Sequence, residues 1–130
     1  MVGIVLISHS SGLAEGAAEL VGQIAAGARV VAAGGTDDGR LGTSTERIDE
    51  AISAADTGDG VLLIPDLGSS VLSALSLLAD LDPQDEGKRV RLADAPFLEG
   101  AVAAAVAASA GLDLATVAHA AEEARHDRKL

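Results

Sequence analysis

An apolar run at the start of the chain, residues 2–7, constrains the fold most strongly. Its length and its valine and isoleucine content are typical of a strand buried on both faces of a sheet. The next five residues, Ser8 to Gly12, contain a histidine, three serines and a glycine. We therefore expect a turn from strand to helix at the carboxyl edge of a sheet, which is where open α/β sheets bind their ligands.

Strand and helix signals alternate along the rest of the chain. Further strands are predicted at residues 29–33, 61–64 and 88–93. Helices are predicted after each strand. We expect Thr43, with Glu46, to cap the second helix, Ser69 or Ser70 to cap the third, and Asp113 to cap the last. The periodicity predicts buried faces formed by Leu13, Ala17, Leu20, Val21 and Ile24 in the first helix, and by Leu72, Leu75, Leu78 and Ala79 in the third.

Strands joined by helices of this length pair in parallel through right-handed crossovers. We therefore predict an α/β fold: a three-layer, doubly wound parallel sheet of four strands in the order 2-1-3-4, with helices on both faces. Residues 1–130 are expected to form one domain.

In that strand order the connections reverse direction between the first and third strands, so the ends of these two strands flank a crevice. The residues at the two ends are His9 and Asp66. A carboxylate that accepts a hydrogen bond from one imidazole nitrogen fixes the tautomer and leaves the other nitrogen free to attack phosphorus. We expect Asp66 to contact Nδ1 of His9, which leaves Nε2 as the reactive atom.

Composition narrows the possible partners. The formal net charge is −11 and only one residue is aromatic, so neither nucleic acid nor base stacking is favoured. The chain has no cysteine, no apolar stretch long enough to span a bilayer and no apparent secretory signal. We expect a cytoplasmic protein that does not bind membranes.

Asp37 and Asp38 are interpreted as a solvated turn, and His119 and His126 as residues of an exposed helix face.

Four short motifs occur in order along the chain: residues 8–11, 42–44, 66–69 and 95–100. Together they resemble the phosphotransfer subunit of the phosphoenolpyruvate-dependent dihydroxyacetone kinases, which has a mannose-type enzyme IIA domain. The resemblance runs from Met1 to about Ala121.

This resemblance implies a phosphoryl relay. His9 would be phosphorylated by the histidine phosphocarrier protein of the sugar phosphotransferase system, and would pass the group to ADP on a nucleotide-binding kinase subunit. Asp66 would orient His9, and no cofactor is implied. Candidate ligands of the phosphate are Ser10, Ser11, Gly12, Thr43 and Ser69. The resemblance also implies a homodimer. Because the chain stops after a short charged tail, it further implies a phosphoryl donor that is a separate protein.

Some features stay open. Arg40 is the nearest basic candidate, but it lies in a loop, residues 34–41, whose role the sequence leaves undecided. Phe97 and Leu98 are either docking residues or core residues. Two other functions are considered: a small tetrapyrrole chelatase, which needs a further histidine or glutamate facing the cleft, and a non-enzymatic module that binds a small anion.

Overall fold

Four parallel strands form the central sheet of the protein, whose computed structural model describes residues 1–80 and 89–130. They are β1 (Gly3–Ser8), β2 (Arg29–Gly34), β3 (Val61–Pro65) and β4 (Val90–Leu92), in the order β2-β1-β3-β4. All three adjacent pairs are parallel. The predicted fold class and strand order are confirmed. Lys88, the first residue of the predicted fourth strand, lies outside the described residues.

Helices cover both faces of the sheet. They are α1 (Ser11–Ile24), α2 (Thr45–Ala55), α3 (Gly68–Asp80), α4 (Phe97–Ser109) and α5 (Leu114–Glu123). α1, α4 and α5 pack on one face, and α2 and α3 pack on the other. Within the two described stretches of chain, no helix is long and apolar enough to cross a membrane.

The central strand β1 supplies both cores of the protein, because alternate side chains of a strand point to opposite faces. Ile4 and Leu6 are fully buried against α1, α4 and α5. Val5 and Ile7 are fully buried against α2 and α3. A strand buried on both faces is therefore present where the continuous apolar run predicts it, and its carboxyl end is held rigidly between two packed layers.

The predicted buried face of α1 is wrong in part. Leu13, Leu20 and Ile24 are 51%, 44% and 54% exposed, whereas the buried residues of the helix are Ala14, Ala17 and Val21. Small side chains let a helix axis come close to a sheet, so the alanines occupy the contact and the larger leucines flank it. The start of α1 lies close to β2, because a β-carbon on Gly34 would lie 2.5 Å from the carbonyl oxygen of Ser10, the N-cap residue.

The predicted buried face of α3 is also wrong in part. Leu72 and Leu75 are 68% and 49% exposed and Ala79 is exposed as well, while Leu78 packs partly against the core. The buried residues are Ser70 and Ala74. A serine on the buried face is unexpected, and its hydrogen bonds, described below, explain it.

Two of the predicted helix starts shift, and one is confirmed. Ser44, and not Thr43, caps α2: its hydroxyl accepts a hydrogen bond from the backbone N–H of Arg47 at 3.2 Å. α3 begins at Gly68, so Ser69 and Ser70 lie inside the helix. Asp113 caps α5 as predicted. α5 ends at Glu123 and continues as a 3-10 turn to His126.

Candidate functional site

The pairing of β1 with β3 places the site at the carboxyl edge of the sheet. Ile7 is opposite Pro65 in the parallel register, and the backbone N–H of Asp66 donates to the carbonyl oxygen of Ile7 at 3.0 Å. His9 and Asp66, each just beyond its strand, therefore lie side by side. The backbone N–H of Gly42 donates to the carbonyl oxygen of His9 at 2.8 Å, which fixes the turn from the other side.

The imidazole of His9 and the carboxylate of Asp66 are in direct contact. Nδ1 of His9 lies 3.0 Å from Oδ1 of Asp66, which is hydrogen-bonding distance. The His9 side chain is 24% exposed and the Asp66 side chain is 9% exposed. One side of the imidazole thus faces the protein, and another side reaches the solvent. The pair lies at the crevice where the strand order predicts it.

Asp66 is held as a carboxylate. Its burial opposes ionisation, but four hydrogen bonds outweigh burial and lower the pKa of Asp66 from 3.8 to about 2. In order of importance the donors are the backbone N–H of His9, the Ser8 hydroxyl, the backbone N–H of Leu67 and the Ser70 hydroxyl. At neutral pH the carboxylate is therefore an acceptor only, so Nδ1 of His9 carries the proton.

Ser69 lies at the outer nitrogen of the imidazole. Its hydroxyl is within hydrogen-bonding contact of Nε2 of His9. Because Nδ1 carries the proton, Nε2 presents a lone pair and the Ser69 hydroxyl is the donor in this contact. Ser69 is exposed, near the start of α3, so its side chain can turn from the nitrogen to a group attached to that nitrogen.

The first turn of α1 brings polar groups near the end of β1. The Ser10 hydroxyl accepts from the backbone N–H of Leu13 at 3.2 Å and so caps the helix. The N–H groups of Ser11 and Gly12 come next in this turn, and groups at these helix positions have no intrahelical acceptor. Partly positive N–H groups at a helix N-terminus attract anions. The structure therefore places three of the candidate phosphate ligands in the turn that follows His9.

Thr43 lies on the far side of the site. Its hydroxyl is 2.5 Å from the hydroxyl of Ser73, which in turn donates to the carbonyl oxygen of Ser69 at 3.3 Å. The side chain of the candidate phosphate ligand Thr43 thus contacts α3, and the backbone of the preceding residue, Gly42, contacts His9.

The charged residues of the loop that contains Arg40 pair with each other and with Arg47. Arg40 is 84% exposed and pairs with Asp38 at 3.3 Å, and Asp37 pairs with Arg47 at 3.4 Å. Within residues 1–80 and 89–130, no lysine or arginine makes an ion pair with Asp66, whose partner is His9. Asp37 and Asp38 are thus exposed turn residues, as predicted, although both are paired with arginines.

Side chains of the metal-ligating types do not cluster in the described part of the chain. No group of three or more histidine, aspartate or glutamate side chains is close enough there to hold a metal ion. His119 is 74% exposed and lies 3.9 Å from Glu123, and His126 is exposed after the end of α5. Neither histidine is among the hydrogen-bond or ion-pair partners of His9 and Asp66 in the described part of the chain.

Two serines bonded to Asp66 were not assigned to the site from the sequence. Ser8 and Ser70 are both fully buried, and both hydroxyls lie within 3.0 Å of an Asp66 carboxylate oxygen. Two sequence signals could have identified them. Ser8 is a polar residue that ends an otherwise apolar strand, and Ser70 follows Asp66 by one helical turn.

Phe97 and Leu98 differ in their surroundings. Phe97 packs against the core beneath α1, α4 and α5, whereas Leu98 is 37% exposed. Leu98 lies in a groove of about 760 Å³ between α1 and α4, together with Leu20 and Ile24. Phe97 therefore packs, partly buried, against the core, and Leu98 belongs to an apolar surface that is lined mainly by residues of these two helices.

Comparison with known proteins defines the class. A family model described as "PTS system fructose IIA component" matches residues 3–118. The crystal structure of a protein of unknown function, EF1359, superposes with a TM-score of 0.83 at 35% identity, over 94% of this chain and 93% of that one. The chain is thus an α/β domain of the mannose-type IIA class, with a histidine and an aspartate paired at the carboxyl edge of the sheet.

Curated relatives narrow the class. The chain is 43% identical over 121 residues to the phosphoryl donor subunit of PEP-dependent dihydroxyacetone kinase of Pantoea ananatis (strain LMG 20103), covering 90% of this chain and 25% of that protein. It is 37% identical to the corresponding subunit of kinase 2 of Listeria innocua serovar 6a, covering 82% of this chain and 85% of that protein.

The chain belongs to the family of phosphoryl donor subunits of PEP-dependent dihydroxyacetone kinases. It spans about a quarter of the length of the Pantoea relative and of the Escherichia coli (strain K12) relative, to which it is 41% identical.

Proposed function

We propose that the protein is a phosphoryl relay in which Nε2 of His9 carries the group. The observation that supports this proposal is the 3.0 Å contact of Nδ1 with an ionised Asp66, which leaves the lone pair on Nε2. The donor is the histidine phosphocarrier protein. The acceptor is ADP bound to a dihydroxyacetone kinase subunit, in keeping with the family.

The chemistry requires little from the protein beyond alignment. The Nε2 lone pair of His9 attacks the phosphorus of the donor's phosphohistidine, a new N–P bond forms, and the donor's N–P bond breaks with its electron pair returning to that imidazole. The Nδ1 proton stays in its hydrogen bond to Asp66 throughout. In the second step a terminal oxygen of ADP attacks the same phosphorus, which forms ATP and returns the neutral imidazole of His9.

Hydrogen-bond donors around His9 suit a transient phosphoryl group. We assign the Ser69 hydroxyl, which already contacts Nε2, to a phosphate oxygen, together with the hydroxyl of Ser10 and the N–H groups of Ser11 and Gly12. Thr43 supports Ser69 through Ser73. Neutral donors of this kind bind a phosphate less tightly than an arginine pair would, so the group can leave again.

The proposal includes a homodimer and a cytoplasmic location, and treats residues 1–130 as one IIA domain. The groove between α1 and α4 supports a dimer, because five large apolar residues that line it are exposed: Leu20, Ile24, Leu98, Val106 and Leu112. Contiguous apolar surface of this kind marks contact sites in proteins. Light scattering should show a dimer that the substitution Ile24→Glu converts to monomers.

Intact-mass measurement tests the relay. The parent protein is incubated with phosphoenolpyruvate, enzyme I and the phosphocarrier protein, beside His9→Ala and a control, His119→Ala, that removes an exposed histidine far along the chain. The parent and the control should each gain one acid-labile, base-stable phosphoryl group, and His9→Ala none. Addition of the kinase subunit with ADP should remove the group. Phosphorylation of His9→Ala would contradict the assignment.

A further inference from the structure

Ser8 is a buried polar residue at the end of β1 whose hydroxyl donates one hydrogen bond and accepts another. It is fully buried, and its hydroxyl donates to Oδ2 of Asp66 at 2.9 Å. The hydroxyl oxygen of Ser8 in turn accepts a hydrogen bond from the backbone N–H of Ser10 at 3.1 Å. A hydroxyl has one proton, and here that proton has a single acceptor, the Asp66 carboxylate. Ser8 therefore connects the strand, the first turn of α1 and the carboxylate.

The two oxygens of Asp66 have separate contacts. Oδ2 receives the Ser8 hydroxyl and, at 3.1 Å, the backbone N–H of His9. Oδ1 faces Nδ1 of His9 and also receives the backbone N–H of Leu67 at 2.7 Å. The bonds to Oδ2 fix the rotation of the carboxylate, and this rotation directs Oδ1 at the imidazole.

We propose that Ser8 is a positioning residue that acts through Asp66 to keep His9 in the tautomer with its proton on Nδ1. An unrestrained neutral imidazole populates both tautomers, and the one with its proton on Nε2 has no lone pair there for phosphorus. Loss of the Ser8 hydroxyl removes one of the two donors to Oδ2, so the carboxylate, still held by the N–H groups of His9 and Leu67, is positioned less tightly against Nδ1. The consequence for phosphoryl transfer rests on the proposed function, whereas the consequence for the tautomer does not.

Ser70 provides a matched comparison, since it is also a fully buried serine in contact with Asp66. Its hydroxyl lies 3.0 Å from Oδ1 of Asp66 but only 2.6 Å from the carbonyl oxygen of Leu67. One proton serves one of these acceptors at a time, and the closer one is the carbonyl. Ser70 therefore holds the carboxylate less than Ser8 does, although both residues are equally buried.

Nitrogen NMR on histidine-labelled protein tests the tautomer. Spectra of the neutral imidazole are recorded for the parent, Ser8→Ala and Ser70→Ala. The parent should show the proton on Nδ1 of His9. Ser8→Ala should raise the fraction of the Nε2–H tautomer by roughly tenfold, the factor typical of a hydrogen bond to a charged group, and Ser70→Ala should raise it less. An unchanged tautomer in Ser8→Ala, or an equal effect in the two variants, would overturn the assignment.

Two further measurements distinguish the proposed role of Ser8 from a general folding defect: the titration of the Asp66 carboxyl group and the tautomer ratio of a second variant, Ser8→Cys. Carbon NMR should show the Asp66 carboxyl titrating nearer its ordinary pH in Ser8→Ala. Ser8→Cys fills the same space with a weaker donor, so its tautomer ratio should lie between those of the parent and Ser8→Ala. A Ser8→Cys ratio equal to that of Ser8→Ala or beyond it counts against the proposal.

Transfer kinetics separate positioning from general destabilisation. In Ser8→Ala the maximal rate of phosphorylation should fall roughly tenfold, while the KM for the phosphocarrier protein stays the same. Ile52→Val, which trims the core on the other face of the sheet, lowers stability without this effect. A raised KM alone, or an equal loss in Ile52→Val, contradicts a positioning role. If the parent itself accepts no phosphoryl group, the proposed function fails and the tautomer result stands independently.

Discussion

The depressed pKa of Asp66 should make the stability of the protein depend on pH in a defined range. The pKa is about 2 in the folded protein against an ordinary value of 3.8. A carboxyl group whose folded pKa is lowered stabilises the fold above its unfolded pKa and loses this contribution as the pH falls through the folded pKa. At 1.36 kcal/mol for each pKa unit, Asp66 contributes about 2 kcal/mol at neutral pH. About half of this contribution should remain at about pH 3.

Urea unfolding of the parent and of Asp66→Asn measures this contribution. The asparagine does not titrate, and the other carboxyl groups are common to both proteins, so they cancel in the difference between the two free energies of unfolding. This difference should be constant from about pH 7 to about pH 5 and should then shrink by roughly 1 kcal/mol by about pH 3. A difference that stays constant down to about pH 3 would refute the view that hydrogen bonds hold Asp66 ionised.

Three further outcomes follow from the geometry. Gly34→Ala should cost about 1–3 kcal/mol because its β-carbon would lie 2.5 Å from the Ser10 carbonyl oxygen. The control Gly22→Ala, with nothing within 4 Å, should be neutral or stabilise α1, as thermal unfolding of both variants would show. Ser10→Ala and Asp113→Ala each remove a helix cap and should each cost about 1 kcal/mol, but only Ser10→Ala should slow phosphorylation in the mass assay. Ser69→Ala should slow phosphoryl transfer and leave the melting temperature within the range of surface substitutions, whereas equal transfer rates would remove Ser69 from the site.

The strand order was predictable because the apolar runs and the helical segments between them indicate the same arrangement. Apolar runs separated by helical segments require parallel pairing with crossovers, and such sheets follow few topologies. Once the order is 2-1-3-4, the residues after β1 and β3 must be neighbours, and the 3.0 Å contact of His9 with Asp66 follows from this arrangement. The location of the candidate site was thus available from the sequence without knowledge of any side-chain contact.

The side of each helix that meets the sheet was harder to predict. In α1 and α3 the leucines and the alanines both recur at helical spacing, so periodicity alone gives two adjacent faces. Size-based reasoning favours Leu20 and Leu72 as core residues, but both are exposed, while Ala17 and Ala74 are buried. The distance between helix and sheet decides between the faces, and that distance depends on tertiary packing of the whole layer.

The sequence marks Ser8 and Ser70 by position but does not show that they bond to Asp66. A serine is an ordinary residue at a strand end and in the first turn of a helix, so neither Ser8 nor Ser70 stands out by type. Their role depends on the orientation of two hydroxyls toward one carboxylate, which the register of β1 with β3 sets.

The most direct test of the relay is to find the atom that carries the phosphoryl group. The protein, labelled with nitrogen-15 at histidine, is phosphorylated by phosphoenolpyruvate through enzyme I and the phosphocarrier protein, and phosphorus–nitrogen coupling is recorded. The contact of Nδ1 with Asp66 predicts coupling to Nε2 of His9 and a proton retained on Nδ1. Coupling to Nδ1 of His9, or to a nitrogen of His119 or His126, would contradict the account.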